Sequence, residues 1–203
     1  MAFAEANAPL AADPLSATHY QELELARGRA KPMRTAARVA TFNGWASGLL
    51  AVLSAPFAPF TLEGFLMTVV LAVVACNELR GRKRLLNFDP TAPSLLGWNQ
   101  TGLLASITAY CLWTIWTAVS GQSPLAAELN ANPELGDLLG RPGDFDALYG
   151  RVALAFYGTI IAVTAITQGL NAAYYFSRRK HVEACVRETP PWALNLLRAE
   201  NKG

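Results

Sequence analysis

Charge is scarce in this chain: 16% of its 203 residues are Asp, Glu, Lys or Arg, where soluble domains carry about 25%. Apolar residues make up 52% and gather into four long stretches free of basic residues. That distribution excludes a disordered chain, a collagen, a coiled coil and a small disulfide scaffold. It leaves an all-α polytopic membrane protein. Histidine is almost absent: His19 and His181 both fall outside the apolar stretches, which excludes a bis-histidine haem bundle. The three cysteines, Cys76, Cys111 and Cys185, form no C-x-x-C and no metal-ligand spacing, so they give no disulfide framework or disulfide-exchange centre. Phosphate-cradling glycine loops, the G-x-S-x-G nucleophile elbow and the H-E-x-x-H zinc helix are missing too. Neither a cofactor nor a metal is expected. The formal net charge of +2 gives no bulk attraction to nucleic acid.

What is present is a pattern fitted to a bilayer. A hydrocarbon core of about 30 Å needs about 20 helical residues to cross it. Four segments qualify, at about Val39–Ala58, Leu62–Leu79, Leu95–Ser120 and Val152–Phe176, and they predict a bundle of four transmembrane helices. Their lengths are unlike the short alternating strands of a membrane β-barrel. Basic residues fix the expected orientation, because cytoplasmic flanks hold the excess of Lys and Arg. Arg27, Arg29, Lys31, Arg34 and Arg38 precede the first segment, Arg80, Arg82, Lys83 and Arg84 follow the second, and Arg178, Arg179 and Lys180 follow the fourth. With the tail included, 15 of the 17 basic residues share one side, and only Arg141 and Arg151 lie opposite. Both termini are therefore expected in the cytoplasm and the chain in the cytoplasmic (inner) membrane. The organisation read from this is a cytoplasmic segment over 1–38, a first hairpin over 39–79, a basic loop over 80–94, a second hairpin over 95–176 and a cytoplasmic tail over 177–203.

The flanking segments carry weaker signals. Asp13-Pro14 reads as a helix start, followed by a sparse apolar stripe of Leu15, Tyr20, Leu23 and Leu25. A helix lying on the anionic membrane surface is expected there. Beyond Pro190-Pro191, Trp192, Leu194, Leu196 and Leu197 predict a second short interfacial helix, anchored in lipid or held by a partner. The loop at 121–150 carries Glu128, Glu134, Asp137, Asp144 and Asp146 against Arg141, with short helices expected near Leu125–Asn130 and Pro133–Leu139. Asp144-Phe145-Asp146 lacks the further ligands and glycine of a calcium loop. His181 and Cys185 share a helix face but make two ligands, short of the four a closed zinc site takes.

Within the expected spans, two sets of residues stand out. Small residues recur four apart at Ala40, Gly44 and Gly48 and at Ala165, Gly169 and Ala173, the spacing that lets helix backbones approach within a bundle or across a homodimer seam. The intramembrane polar residues are Asn43, Asn99 with Gln100, Gln168 and Asn171, expected to hydrogen-bond between helices or to line a pathway. Glu63 and Glu78 fall at span ends, where carboxylates retain water, and Glu78 is within reach of Arg80 or Arg82. Trp45, Trp98, Trp113, Trp116, Tyr174 and Tyr175 mark the two interfaces. A possible duplication shows in Gly48-Leu49-Leu50-Ala51 and Gly102-Leu103-Leu104-Ala105, which would make two parallel hairpin repeats.

These features converge on a structural or accessory membrane subunit without catalytic activity of its own. Its expected partners are the lipid bilayer and either other membrane-protein subunits or further copies of the chain. The alternative is a small transporter or channel built from the two hairpins. A polar track joining Asn43, Asn99, Gln168 and Asn171 would favour transport, and sealed packing would favour the subunit.

Overall fold

The structure, a computed structural model, describes residues 16–121, 123–131 and 142–201. The elements are α1 (Ala17–Ser54), a 3-10 turn at Ala55–Phe57, α2 (Leu62–Leu86), α3 (Ala92–Ser120), α4 (Pro124–Ala131), α5 (Pro142–Glu188) and α6 (Pro191–Glu200). No strand occurs among the described residues. Three helices, α2, α3 and α5, are long and apolar enough to cross a membrane. The expected first span is not among them. The part of α1 from Val39 to Ser54 rises about 24 Å, less than a full hydrocarbon core, and Asn43, Gly44, Ser47 and Gly48 dilute it.

The helices run past the expected span ends. At 38 and 47 residues, α1 and α5 are about 57 and 70 Å long, each longer than a bilayer of about 40–45 Å is thick. Ser16 caps α1: its hydroxyl accepts from the His19 amide, and its own amide donates to His19 Nδ1. Along α1 the buried positions are Leu23, Ala26, Ala30, Met33, Ala36, Ala37, Ala40, Gly44, Ser47 and Ala51. Apart from Ala36, which widens the seam beside Ala37, steps of three and four alternate, the seam of a helix wrapped on neighbours, and nearly every seam residue is small. The outer end of that seam lies on α2, and its inner end lies near α5 and α6.

The largest apolar core lies at the end that carries the basic clusters. It joins Leu23, Ala30 and Met33 of α1 to Leu85, Leu96, Val182, Leu194 and Leu197. Two expectations are corrected there. The described part of the segment before Arg38 is the first half of α1, and its apolar face, with Leu23, Ala26, Ala30 and Met33, is covered by the chain itself. Likewise α6 buries Ala193, Leu194 and Leu197 in this core, and Trp192 meets His19 edge to face with ring centroids 5.2 Å apart. Its apolar face is covered by the chain itself.

The α2–α3 turn shows how tightly this end is built. Phe88 adopts a left-handed φ of 58°, uncommon for a residue with a side chain, and its ring is buried. Asp89 accepts from the amide and hydroxyl of Thr91 at 2.8 and 2.7 Å, closing the turn. Farther out, the surfaces of α1, α2, α3 and α5 expose Leu49, Val73, Trp113, Trp116, Ile166 and Leu170, an apolar coat suited to lipid. The expected short helix of the outer loop is α4. The one expected at Pro133–Leu139 lies outside the described residues, as does Asp13-Pro14. Asp146 caps the loop by accepting from the Ser123 amide at 2.6 Å.

Candidate functional site

Where the basic end meets the spans, polar side chains from four helices converge on Glu78. Its neighbour Asn77 shares α2, Asn99 and Gln100 come from α3, Tyr175 from α5 and Asn43 from α1. Gln100 Nε2 donates to Glu78 Oε1 at 2.7 Å, and Asn99 Nδ2 donates to the same oxygen at 2.9 Å. The Tyr175 hydroxyl donates to Glu78 Oε2 at 3.1 Å and accepts from Asn43 Nδ2 at 3.3 Å. Asn99 also donates to the Val74 carbonyl, and its Oδ1 accepts from Asn77 Nδ2 at 3.2 Å. Glu78 and Tyr175 are fully buried and Gln100 is 2% exposed. Both carboxyl oxygens therefore take their hydrogen bonds from protein rather than water.

Local sequence explains how the helices come so close. A Cβ at Gly44 would stand 3.0 Å from Leu79 Cδ2 and 3.2 Å from Glu78 Cβ, so any larger residue there would have to push Leu79 or α2 aside for α1 to pass Glu78. Gly97 does the same for α3 and α5: an added Cβ would meet the Phe176 ring at 2.7 Å. Gly81 gives Leu96 its place, with a Cβ 2.4 Å from Leu96 Cδ2.

Glu78, expected to keep its water at a span end, is fully buried instead, and the ion pair with Arg80 or Arg82 that its position allowed does not form. Among the described residues no ion pair involves Glu78, because its side chain points into the bundle while the helix carries on to Leu86. Tyr175, expected in an aromatic belt, is instead a core residue. Of the polar residues singled out in the spans, Asn43 and Asn99 join this junction. Gln168 and Asn171 do not hydrogen-bond to it, although they precede Tyr175 on one face of α5 at i, i+3 and i+7. Both are half-buried, as Thr164 is almost fully. The buried Oε1 atoms of Gln100 and Gln168 have no partner.

The small residues also divide. Gly48 packs near Ala75, 3.7 Å from the position of an added Cβ. On α5, Ala165 and Ala173 are exposed, and nothing lies within 4 Å of a Cβ placed on Gly169. The α5 face that meets the rest of the chain is the one bearing Ala153, Thr164, Ala172 and Tyr175. The two Gly-Leu-Leu-Ala segments sit in unlike surroundings, since Gly102 has open space where Gly48 has Ala75.

The sequence offered one signal for the junction that its reading passed over. Glu78 stands eight residues before the end of α2 and Gln100 eight after the start of α3, so a tight hairpin brings them level. Among the described residues no cluster of three or more metal-ligating side chains forms. No family model matches the chain, and no characterised protein or solved structure is similar enough to suggest a relative.

Proposed function

We propose that this chain is an accessory subunit of a cytoplasmic-membrane assembly, with α1 as a fourth span beside α2, α3 and α5 and both termini in the cytoplasm. The observation that carries the reading is the outward face of α5. Ala165 and Ala173 are exposed, a Cβ on Gly169 would meet nothing within 4 Å, and exposed Ile166 and Leu170 lie beside them; a face of small residues of this kind receives a partner helix by close backbone approach. The amides around Glu78 support the same reading, since they are spent on joining helices within the subunit. The positive-inside pattern supports the orientation.

A second reading, a small transporter or channel, draws on the inward stripe of Thr164, Gln168, Asn171 and Tyr175 on α5. One experiment separates the two. The wild-type protein and Gly169→Leu are purified in mild detergent, cross-linked and sized, then reconstituted in liposomes for ion flux. A subunit gives a cross-linked assembly that Gly169→Leu reduces severalfold without loss of helicity, and liposomes that stay tight. Equal cross-linking of both proteins removes the α5 seam. A flux abolished by Asn99→Leu with Gln168→Leu promotes the transporter.

A further inference from the structure

Helices α2 and α3 meet at the junction and part beyond it, leaving a groove open to the side. Its inner cavity, about 550 Å³, is lined by Val69, Val73, Asn77, Trp98, Asn99 and Gly102 among others. A second cavity of about 450 Å³ shares Val70 and Ser106 with it and continues outward to Trp113. Volumes of this size hold small ligands of a few tens of atoms. The walls are apolar for most of their length. At the inner end Asn77 donates to Asn99; Ser106 lies where the two cavities join, and Glu63 and Tyr110 line the outer one.

The helical repeat extends this stripe into charge. Val73, Asn77, Arg80 and Arg84 follow at i, i+4, i+7 and i+11 on α2, one surface of the helix. Arg84 lies near Asp89, which shares its field. Arg80 is exposed and has no hydrogen-bond or ion-pair partner among the described residues. From Val69 to Arg80 the helix rises about 16 Å, close to half of a hydrocarbon core of about 30 Å. The groove thus offers an apolar channel one leaflet deep, an amide pair at its mouth and an unpaired guanidinium one turn beyond. Trp98, 68% exposed, flanks the mouth at the level where indole rings settle in an interface.

We infer that the α2–α3 groove binds a phospholipid with an anionic headgroup, one acyl chain lying along Val69 and Val73 and the phosphate held by Arg80 beside Asn77. A basic mouth on an apolar inter-helix pocket is the chemistry that selects acidic lipids over zwitterionic ones. A guanidinium takes a phosphate through two parallel hydrogen bonds, which fixes the headgroup rather than merely attracting it. A transmembrane helix of a partner would leave Arg80 at its flank with no counter-charge supplied by the apolar segment.

The test uses the full chain, delipidated in mild detergent and titrated with phosphatidylglycerol or phosphatidylcholine while bound lipid is counted by native mass spectrometry. Wild-type protein should prefer phosphatidylglycerol about fivefold, the effect of one well-placed basic side chain. Arg80→Gln should bind both lipids equally. Gly102→Leu, which projects into open space and so leaves the fold intact, should lose both. Arg151→Gln, at the opposite end, should behave as wild type, and circular dichroism verifies that every variant is folded. Equal binding of both lipids by the wild type, or an unchanged preference in Arg80→Gln, overturns the proposal. Undiminished lipid binding by Gly102→Leu does so too, and cross-linking of a cysteine at Gly102 to a partner protein in place of lipid gives the groove to a helix instead.

Discussion

A carboxyl group with no exposed surface has to find its hydrogen bonds inside the protein, and Glu78 finds three, from Gln100, Asn99 and Tyr175. Removing the hub strands several donors at once, whereas removing one donor strands little. Tyr175→Phe should lower stability by about 1–3 kcal/mol, the cost of leaving one buried polar group short of a partner. Glu78→Ala should cost more, because three donors and a cavity are left behind. Thermal unfolding in detergent checks the order, and a Glu78→Ala protein as stable as wild type would mean that the junction holds nothing together. The sequence announced these residues only as isolated polar positions. Glu78 reads as a rim residue because four of the next six residues are basic, and nothing local to it points to Tyr175. Asn43 and Asn99 were legible as helix-joining amides because polar side chains in a span have few other uses. Gln168 and Asn171 were read alike, yet a face of α5 alone does not decide what they meet.

Element by element, the clearest case is α6. Its apolar face was legible from Trp192, Leu194 and Leu197, but such a face states that something covers it and never what. The cover is α1, whose seam of alanines leaves room for Leu194 and Leu197. A charge cluster fastens the end of the helix: Glu200 accepts from Arg27 and, at 3.1 Å, from Arg34. Those hydrogen bonds and the two positive charges hold its carboxyl below the usual glutamate range. A lowered folded-state pKa means that the stabilisation is complete above the ordinary glutamate value and fades as pH falls through the lowered one. Exposed pairs of this kind contribute modestly, so the effect belongs to α6 and not to global unfolding. Protection of the α6 amides, measured as the intrinsic exchange rate at each pH divided by the observed one, should fall as the pH is taken from neutral into that acidic range. In Glu200→Gln protection should be lower from the start and lose this pH dependence. A wild-type exchange profile with no acid step would show that apolar contact alone seats the helix.

For the molecule as a whole, the apolar stretches and basic clusters made the helices and their order legible, because both follow from solvent preference residue by residue. The position of the main core was not, since it depends on α1 and α5 running straight through the ends of their apolar segments. Orientation has a direct test. A membrane-impermeant thiol reagent added outside intact cells should label Ala127→Cys, on the exposed side of α4, and miss Thr18→Cys at the start of α1; the reverse pattern would invert the protein. The junction carries a further consequence, for the time of synthesis. Tyr175 lies 97 residues after Glu78, so a ribosome adding about 5–20 residues per second delivers it roughly 5–20 s later. Until then Glu78 can draw on Asn99 and Gln100 for Oε1, but Oε2 lacks the donor it has in the finished chain, so the junction closes only when the last long helix has been made.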